Sequence, residues 1–130
     1  MAPVRILLVD DHDVMRGGLR SLLESRPGWE VCGEAANSKD AIQQAKTLRP
    51  DVVVLDISMP GFSGLEAVPL IRKETPGSAV LVLSRHEERD MRLKAIEAGA
   101  LGYVTKSQGL ARELLAAIDQ IVRDRSTLPG

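Results

Sequence analysis

The sequence predicts an α/β fold in which helices cover both faces of a parallel sheet. Three apolar runs, at residues 6–9, 52–55 and 80–83, are unbroken by polar side chains and rich in Val, Ile and Leu. Unbroken runs are typical of strands that are buried on both faces. Segments with helical spacing of apolar residues lie between these runs, and such alternation predicts a doubly wound sheet with right-handed crossovers.

Two weaker strand candidates, residues 30–35 and 101–105, bring the expected number of strands to five. Each strand is followed by a stretch with one apolar helical face. The five faces consist of Met15, Leu19, Leu22 and Leu23; Ile42, Ala45 and Leu48; Leu65, Val68 and Ile71; Met91, Ala95 and Ala98; and Leu110, Leu114, Ile118, Ile121 and Val122. Proline and glycine mark the ends of the first four helices. Pro69 lies inside the third helix, where it removes a backbone hydrogen bond, so we expect a kink there or a late helix start.

The composition fits one globular domain and excludes several classes of function. The 130 residues are 44% apolar, and 17 basic against 18 acidic residues give a net charge of −1, so no global charge favours nucleic acid or membranes. Three aromatic residues, Trp29, Phe62 and Tyr103, are too few for a platform that stacks nucleic-acid bases. Cys32 is the only cysteine, so an intrachain disulfide is impossible. With no transmembrane run and no signal-peptide pattern, we expect a cytoplasmic protein.

Polar residues follow four of the expected strands. Asp10 and Asp11 follow the first strand and Asp56 the third, while Ser84 and Lys106 follow the fourth and fifth. Ligands of open α/β sheets bind beyond the carboxyl ends of the strands, so these side chains should meet at one edge. Any one of them is more simply explained as a strand end or helix cap, but their combination favours a site.

The combined chemistry of these residues points to a metal ion and to phosphorus. Neighbouring carboxylates repel one another, and a divalent cation relieves that repulsion. Oxygen ligands favour Mg²⁺, or another divalent cation such as Mn²⁺ or Ca²⁺, over zinc or copper. Phosphoryl transfer needs mainly positioning and neutralisation of charge. Asp56 is the best placed nucleophile, and Ser84 and Lys106 can hold the phosphoryl oxygens.

The same residues lie in motifs that resemble a known family. The chain is similar, over essentially its whole length, to the receiver domain of bacterial two-component response regulators. It is most similar to the NarL/FixJ (LuxR-like) type, which carries a helix-turn-helix output domain. The matching motifs are Val9-Asp10-Asp11-His12, Asp51-Val52-Val53-Val54-Leu55-Asp56-Ile57-Ser58-Met59-Pro60-Gly61, Gly64-Leu65-Glu66, Leu83-Ser84-Arg85-His86, Ala98-Gly99-Ala100 and Gly102-Tyr103-Val104-Thr105-Lys106.

The resemblance implies a role for each site residue. Asp56 would accept a phosphoryl group from a sensor histidine kinase. Asp11, Asp56 and the backbone carbonyl of Ser58 would ligate Mg²⁺, with Asp10 acting mainly through water. The phosphoryl group would then be bound by Ser84 and Lys106, and Tyr103 would turn inward as Ser84 moves, which is a shift of population driven by added charge.

The resemblance also implies the architecture and the partners. The fold would be a three-layer (βα)5 flavodoxin-like receiver with strand order 2-1-3-4-5. Residues 1–124 would form the receiver, and 125–130 would begin a linker to a C-terminal output domain outside this chain. DNA would be bound only through that domain, to control transcription, and phosphorylation could produce a homodimer. Such a protein is a phosphorylated signalling domain and not a turnover enzyme.

Some positions depart from the family pattern. Lys106 is followed by Ser107 where many receivers have a cis proline, so we expect a trans peptide bond. Ser84 replaces the commoner threonine, and Ser58 and His86 occupy places that tune the lifetime of the phosphorylated form. Elsewhere, Cys32 is expected to be buried and Trp29 to cover the bottom of the sheet.

Three alternative functions remain at this stage. A stand-alone single-domain regulator has the same motifs. An aspartyl-nucleophile phosphatase dependent on Mg²⁺ needs a similar set of residues, although Ser58 stands where such enzymes usually have a second Asp. A nucleotide-binding module is disfavoured because the loop after the first strand lacks a glycine-rich phosphate motif.

Overall fold

The computed structural model describes residues 3–58, 64–85 and 89–126 as alternating strands and helices. The five strands form one parallel sheet with the order β2-β1-β3-β4-β5, as predicted. The strands are β1 (Val4–Val9), β2 (Trp29–Ala35), β3 (Val52–Asp56), β4 (Ala79–Ser84) and β5 (Gly102–Thr105). β3 and β4 are buried at every position, which explains their unbroken apolar sequences.

Two layers of helices enclose the sheet. The helices are α1 (Asp13–Glu24), α2 (Ser38–Leu48), α3 (Gly64–Glu74), α4 (Arg89–Ala98) and α5 (Leu110–Ser126). Residues of α1 and α5 form one buried cluster with side chains such as Leu8, Val54 and Leu83, and α2, α3 and α4 form a second with Leu55 and Val82. Alternation along each strand therefore assigns neighbouring residues to opposite layers. Within the described ranges, none of the helices combines the length and hydropathy needed to cross a membrane.

Glycine and proline end the helices as the sequence predicts. Gly28 and Gly99 adopt positive φ angles of 83° and 116°, and Arg49 ends α2 in the left-handed region with a φ of 47°. The described peptide bonds are all trans, including the one between Lys106 and Ser107. Ser63 and Glu66 have the spacing of a capping box for the third helix, but Ser63 lies outside the described residues.

Two expectations need correction. α3 already begins at Gly64, so a late start at Pro69 is wrong: buried Val68 and Ile71 hold the helix across the proline. Cys32 is partly exposed and not buried. It lies at a register shift in which Val31 pairs with Ile6 and Gly33 with Leu7, so the bulge leaves it outside the regular alternation.

The predicted linker overlaps the last helix. α5 runs through Ser126, so the first two residues of the expected linker, Arg125 and Ser126, are helical. Residues 127–130 lie outside the described residues, and the boundary of the domain stays a prediction. Trp29 begins β2 opposite Val4, at the amino end of the sheet, which agrees with its expected place.

Candidate functional site

The predicted polar residues lie at the carboxyl ends of adjacent strands. Asp10 directly follows β1, Asp56 is the last residue of β3, Ser84 is the last residue of β4, and Lys106 directly follows β5. Asp10, Asp56 and Ser84 are fully buried. Charged groups are rarely buried without partners, so their contacts define what this edge can do.

Lys106 bridges the two buried carboxylates. Its Nζ donates a hydrogen bond of 2.9 Å to Oδ2 of Asp10 and one of 2.8 Å to Oδ2 of Asp56. The Lys106 side chain is only 6% exposed. Burial lowers the pKa of its ammonium group, but the hydrogen bonds and charges of Asp56 and Asp10 outweigh burial, and the pKa is raised overall. The site therefore contains a firmly charged cation between two acids.

The second oxygen of each carboxylate is held by the backbone in the same way. Oδ1 of Asp10 accepts a hydrogen bond of 2.9 Å from the amide of His12, and Oδ1 of Asp56 accepts one of 2.8 Å from the amide of Ser58. Both are turns in which an aspartate caps the residue two positions ahead. These paired turns fix the two carboxylates toward Lys106.

The turn after Asp56 lies close against α3. A Cβ atom placed on Gly64 would come within 2.5 Å of the Cα of Ile57, a distance that real structures do not tolerate. Only glycine lets the first residue of α3 approach the turn so closely. Gly64 of the sequence motif therefore allows α3 to pack against the turn that follows Asp56.

Asp11 completes an acidic cluster that could hold a metal ion. One ligand atom from each of Asp10, Asp11, His12 and Asp56 lies within 4.8 Å of the others. Oδ1 of Asp11 is buried and accepts no hydrogen bond from the part of the chain that the structure describes. Its near neighbour is Nδ1 of His12 at 3.0 Å. A buried oxygen that accepts no hydrogen bond from the described residues, beside two other carboxylates, fits a hard divalent cation.

The two residues predicted as a switch have distinct surroundings. The backbone amide of Lys106 donates a hydrogen bond of 2.7 Å to the carbonyl of Ser84, which ties the ends of β4 and β5 together. Tyr103 is 7% exposed, and the guanidinium of Arg92 lies 5.0 Å from the centre of its ring. The ring therefore lies inside in this structure, packed with the layer that contains α2, α3 and α4, and its expected movement with Ser84 stays a prediction.

Sequence reasoning missed two arginines at this edge. Arg85 lies 3.2 Å from Nε2 of His12, and its backbone amide donates a hydrogen bond of 3.1 Å to the hydroxyl of Ser58. Arg16 donates a hydrogen bond of 2.6 Å to the carbonyl of Asp10. Arg16 lies on α1, outside the strand-end motifs, and Arg85 lies inside the motif that follows β4, but sequence spacing indicates the partner of neither side chain. His12 occupies the N-cap of α1, but its side chain makes no capping hydrogen bond.

A cavity of about 660 Å³ opens beside this cluster. Its lining includes the polar side chains of His12, Arg85 and Lys106, and the apolar wall of α1 is formed by Val14, Met15 and Leu19. Val14 is 91% exposed. The cavity leads from solvent to Lys106 and therefore provides access to the site.

Comparison with known proteins agrees with the fold. Residues 6–119 match the family model described as the response regulator receiver domain. The response regulator UvrY of Escherichia coli (strain K12) is 39% identical over 118 residues, which cover 91% of this chain and 54% of UvrY. The response regulator GacA of Pseudomonas viridiflava is 39% identical over 115 residues, covering 88% of this chain and 53% of GacA. The chain thus spans about half the length of these curated relatives.

A solved structure gives the same result. The crystal structure of a two-component response regulator of the LuxR family from Aurantimonas sp. SI85-9A1 superimposes with a TM-score of 0.89. It is 42% identical, and the alignment covers 95% of this chain and 87% of that chain. The motifs at the strand ends, the strand order and these relatives lead to one conclusion: the chain belongs to the response regulator receiver domain family, with relatives of the LuxR type.

Proposed function

We propose that this receiver domain accepts a phosphoryl group on Asp56 from a histidine kinase, and that phosphorylation controls an output domain. The observation that carries the proposal is the buried Asp56 carboxylate, held 2.8 Å from the Lys106 ammonium beside two further aspartates. A buried carboxylate that is fixed by two donors is oriented for attack, and the adjoining cation can neutralise the incoming phosphate.

The transfer needs no proton from Asp56. An oxygen of the Asp56 carboxylate forms a bond to phosphorus as the phosphorus–nitrogen bond of a phosphohistidine breaks, and the electron pair goes to the imidazole nitrogen. The product is an acyl phosphate on Asp56. Lys106 stays protonated at neutral pH because its pKa is raised, and its ammonium can pair with a phosphoryl oxygen.

The acidic cluster supports Mg²⁺ as the cofactor, with Mn²⁺ or Ca²⁺ as substitutes. Asp11, Asp56 and the backbone carbonyl of Ser58 would hold the ion, with Asp10 acting mainly through water. The buried Oδ1 of Asp11, which accepts no hydrogen bond from the residues that the structure describes, fits this role. When bound, Mg²⁺ supplies positive charge that offsets the carboxylates and the phosphoryl oxygens.

Ser84 and Tyr103 are the proposed response elements. Phosphorylation adds a charge of roughly −1.5 to −2 and new acceptor oxygens, so a state in which the Ser84 hydroxyl bonds the phosphoryl group gains population. Ser84 lies at the end of β4 beside Lys106, and Tyr103 lies in β5 next to β4. Movement of Ser84 would thereby reach the Tyr103 ring and the surface near α4.

The output is proposed from the length and type of the relatives. Their additional length is consistent with a DNA-binding domain that follows the receiver and regulates transcription. Dimerisation on phosphorylation and a cytoplasmic location are parts of the same proposal. The partner in phosphotransfer would be a sensor histidine kinase, which has access through the cavity beside α1.

The test is phosphorylation by acetyl phosphate in the presence of Mg²⁺, followed by intact mass. We expect one phosphoryl adduct on the wild-type chain and none with Asp56→Ala or with excess EDTA. Asp51→Ala is the matched control, because Asp51 lies at the opposite end of β3, and it should be phosphorylated like the wild type. A persistent adduct in Asp56→Ala would refute the proposal. Repeated rapid turnover of phosphate esters without a stable adduct would favour the phosphatase alternative.

A further inference from the structure

We propose that Arg16 is a positioning residue for the metal site. Its guanidinium holds the backbone carbonyl of Asp10, and so fixes the loop that presents Asp10 and Asp11 to Mg²⁺. The inference rests on the proposed function, because it assigns a role at the same site. Arg16 touches none of the atoms proposed to bind metal or phosphate, so its effect passes through the loop.

Arg16 uses all three arms of its guanidinium. Nη1 donates 2.6 Å to the carbonyl of Asp10, Nε donates 2.9 Å to Oε1 of Glu34, and Nη2 donates 2.8 Å to Oδ1 of Asp13. The Arg16 side chain is 18% exposed. A planar fork with fixed donors suits this three-way contact, which a lysine could not reproduce.

The Asp10 carbonyl needs such a donor because the strand ends there. The amide of Asp10 still donates 3.0 Å to the carbonyl of Ala35 on β2, but β1 itself ends at Val9. Asp10 is fully buried, and a buried carbonyl without a partner is costly. Arg16 supplies a donor at the point where the β-ladder stops. Together with the contacts of His12 and Lys106 to its carboxylate, this contact fixes every polar group of Asp10.

Arg16 is itself anchored to the sheet. Glu34 on β2 also accepts a hydrogen bond from Arg20, and the backbone carbonyl of Glu34 accepts one of 2.6 Å from Nε2 of Gln44. Through these contacts the Asp10 loop is fixed relative to β2 and α2 as well as to α1. Glu34 and Asp13 balance the charge of Arg16, so its role is to fix geometry more than to offset the acidic cluster.

The expected consequence concerns metal affinity and not chemistry. Partners that orient a metal ligand from behind typically contribute about 10–100-fold to metal affinity. Arg16→Ala should therefore weaken Mg²⁺ binding about tenfold. Once Mg²⁺ is saturating, the loop is held by the ion, and the rate of Asp56 phosphorylation should return close to that of the wild type.

The experiment is calorimetric titration of the whole 130-residue chain with Mg²⁺ alone. The variants are Arg16→Ala, Arg16→Lys and Arg20→Ala. For each variant, the Mg²⁺ dependence of phosphorylation by acetyl phosphate is also measured. Arg20→Ala removes the other arginine on Glu34 without touching Asp10, and should bind Mg²⁺ like the wild type. Arg16→Lys keeps the charge but loses the fork, and should fall between the wild type and Arg16→Ala.

The outcomes separate the inference from the function it rests on. Wild-type Mg²⁺ affinity in a folded Arg16→Ala, or an equal loss in Arg20→Ala, would overturn the role of Arg16. A reduced phosphorylation rate that saturating Mg²⁺ does not restore would also overturn it, because that pattern indicates general damage. If Arg16→Ala does not fold, wild-type affinity in Arg16→Lys overturns the proposal. A wild-type chain that neither binds Mg²⁺ nor gains a phosphoryl group would instead refute the proposed function.

Discussion

The two ends of the sheet use polar side chains in opposite ways. At the amino-end rim, formed by Arg5, Asp51 and Ser78, side chains bond to the backbone. Oδ2 of Asp51 accepts from the Arg5 amide at 2.9 Å, Nη1 of Arg5 donates to the carbonyl of Leu48 at 2.6 Å, and the Ser78 hydroxyl donates to the carbonyl of Pro50. Each of these contacts closes a strand or helix end, so this rim is structural.

At the carboxyl-end rim, formed by Asp10, Asp11, Asp56, Ser84 and Lys106, charged side chains face one another. Three carboxylates share the space around one ammonium group, and among the described residues no donor bonds the buried Oδ1 of Asp11. Such a balance of charges changes when a cation or a phosphoryl group arrives, whereas the amino-end rim has little to gain from either. The same sheet therefore separates stability from function along the direction of its strands.

The largest test of this comparison replaces one cation at each rim by Met. Lys106→Met leaves buried carboxylates without their partner and should lower the free energy of unfolding by about 3 kcal/mol in the absence of Mg²⁺. Arg5→Met should lower it by only about 1 kcal/mol, because the side chain is partly exposed and loses a hydrogen bond. Urea unfolding of the two variants and the wild type provides the measurement.

Adding Mg²⁺ should change the stability of Lys106→Met and Arg5→Met by different amounts. The ion can replace the missing ammonium, so it should stabilise Lys106→Met more than the wild type and leave the cost of Arg5→Met unchanged. Equal stabilisation of both variants by Mg²⁺ would mean that Lys106 does not balance the acidic cluster.

Two buried serines, Ser84 and Ser78, provide the next comparison between the rims. Ser84→Ala should still accept a phosphoryl group on Asp56 but lose a hydrogen bond to a charged oxygen. That loss is about 2 kcal/mol, or roughly thirtyfold in the population of the switched state. The NMR signals of the Tyr103 ring report this population, since the chain contains one tyrosine.

Ser78→Ala is the control at the amino-end rim. It should lower the free energy of unfolding by about 1.5 kcal/mol, because the Pro50 carbonyl loses its donor, and should leave the Tyr103 response intact. A full Tyr103 response in Ser84→Ala would remove Ser84 from the switch.

The sequence predicts the carboxyl-end rim well because its key residues directly follow apolar strands. The strand runs indicate where Asp10, Asp56 and Lys106 lie, and a parallel sheet places them at one edge. The features that the sequence does not predict are the contacts of long side chains and the register of the strands. Arg16 contacts the Asp10 carbonyl from α1, and Arg85 contacts His12 from the end of β4, so these partners follow from tertiary packing and not from local spacing.

Register is the second limit on the prediction from sequence. The bulge at Cys32 shifts the pairing of β2 by one residue, and no residue pattern near it distinguishes this edge strand from a regular one. Likewise, Pro69 lowers the helical tendency of α3 locally, while the packing of its neighbours against the sheet decides that the helix continues.

The smallest expected changes in the free energy of unfolding have opposite signs at the two rims. Asp11→Ala removes one of three crowded carboxylates. Oδ1 of Asp11 accepts no hydrogen bond from the described residues, so the variant loses only a contact with half-exposed His12. Without Mg²⁺ we therefore expect the free energy of unfolding to rise by about 1 kcal/mol. Asp51→Ala leaves the Arg5 amide without this acceptor and should lower it by about 1 kcal/mol.

Adding Mg²⁺ should reverse the order of stability at the carboxyl-end rim alone. At about a hundred times the dissociation constant, a ligand stabilises the native state by about 2.7 kcal/mol, and Asp11→Ala should lose most of that gain. The wild type then becomes more stable than Asp11→Ala, while Asp51→Ala gains as much from Mg²⁺ as the wild type does. Thermal unfolding at several Mg²⁺ concentrations would show the crossing. A variant Asp11→Ala that is destabilised without Mg²⁺, or that responds fully to it, would show that Asp11 serves structure as Asp51 does.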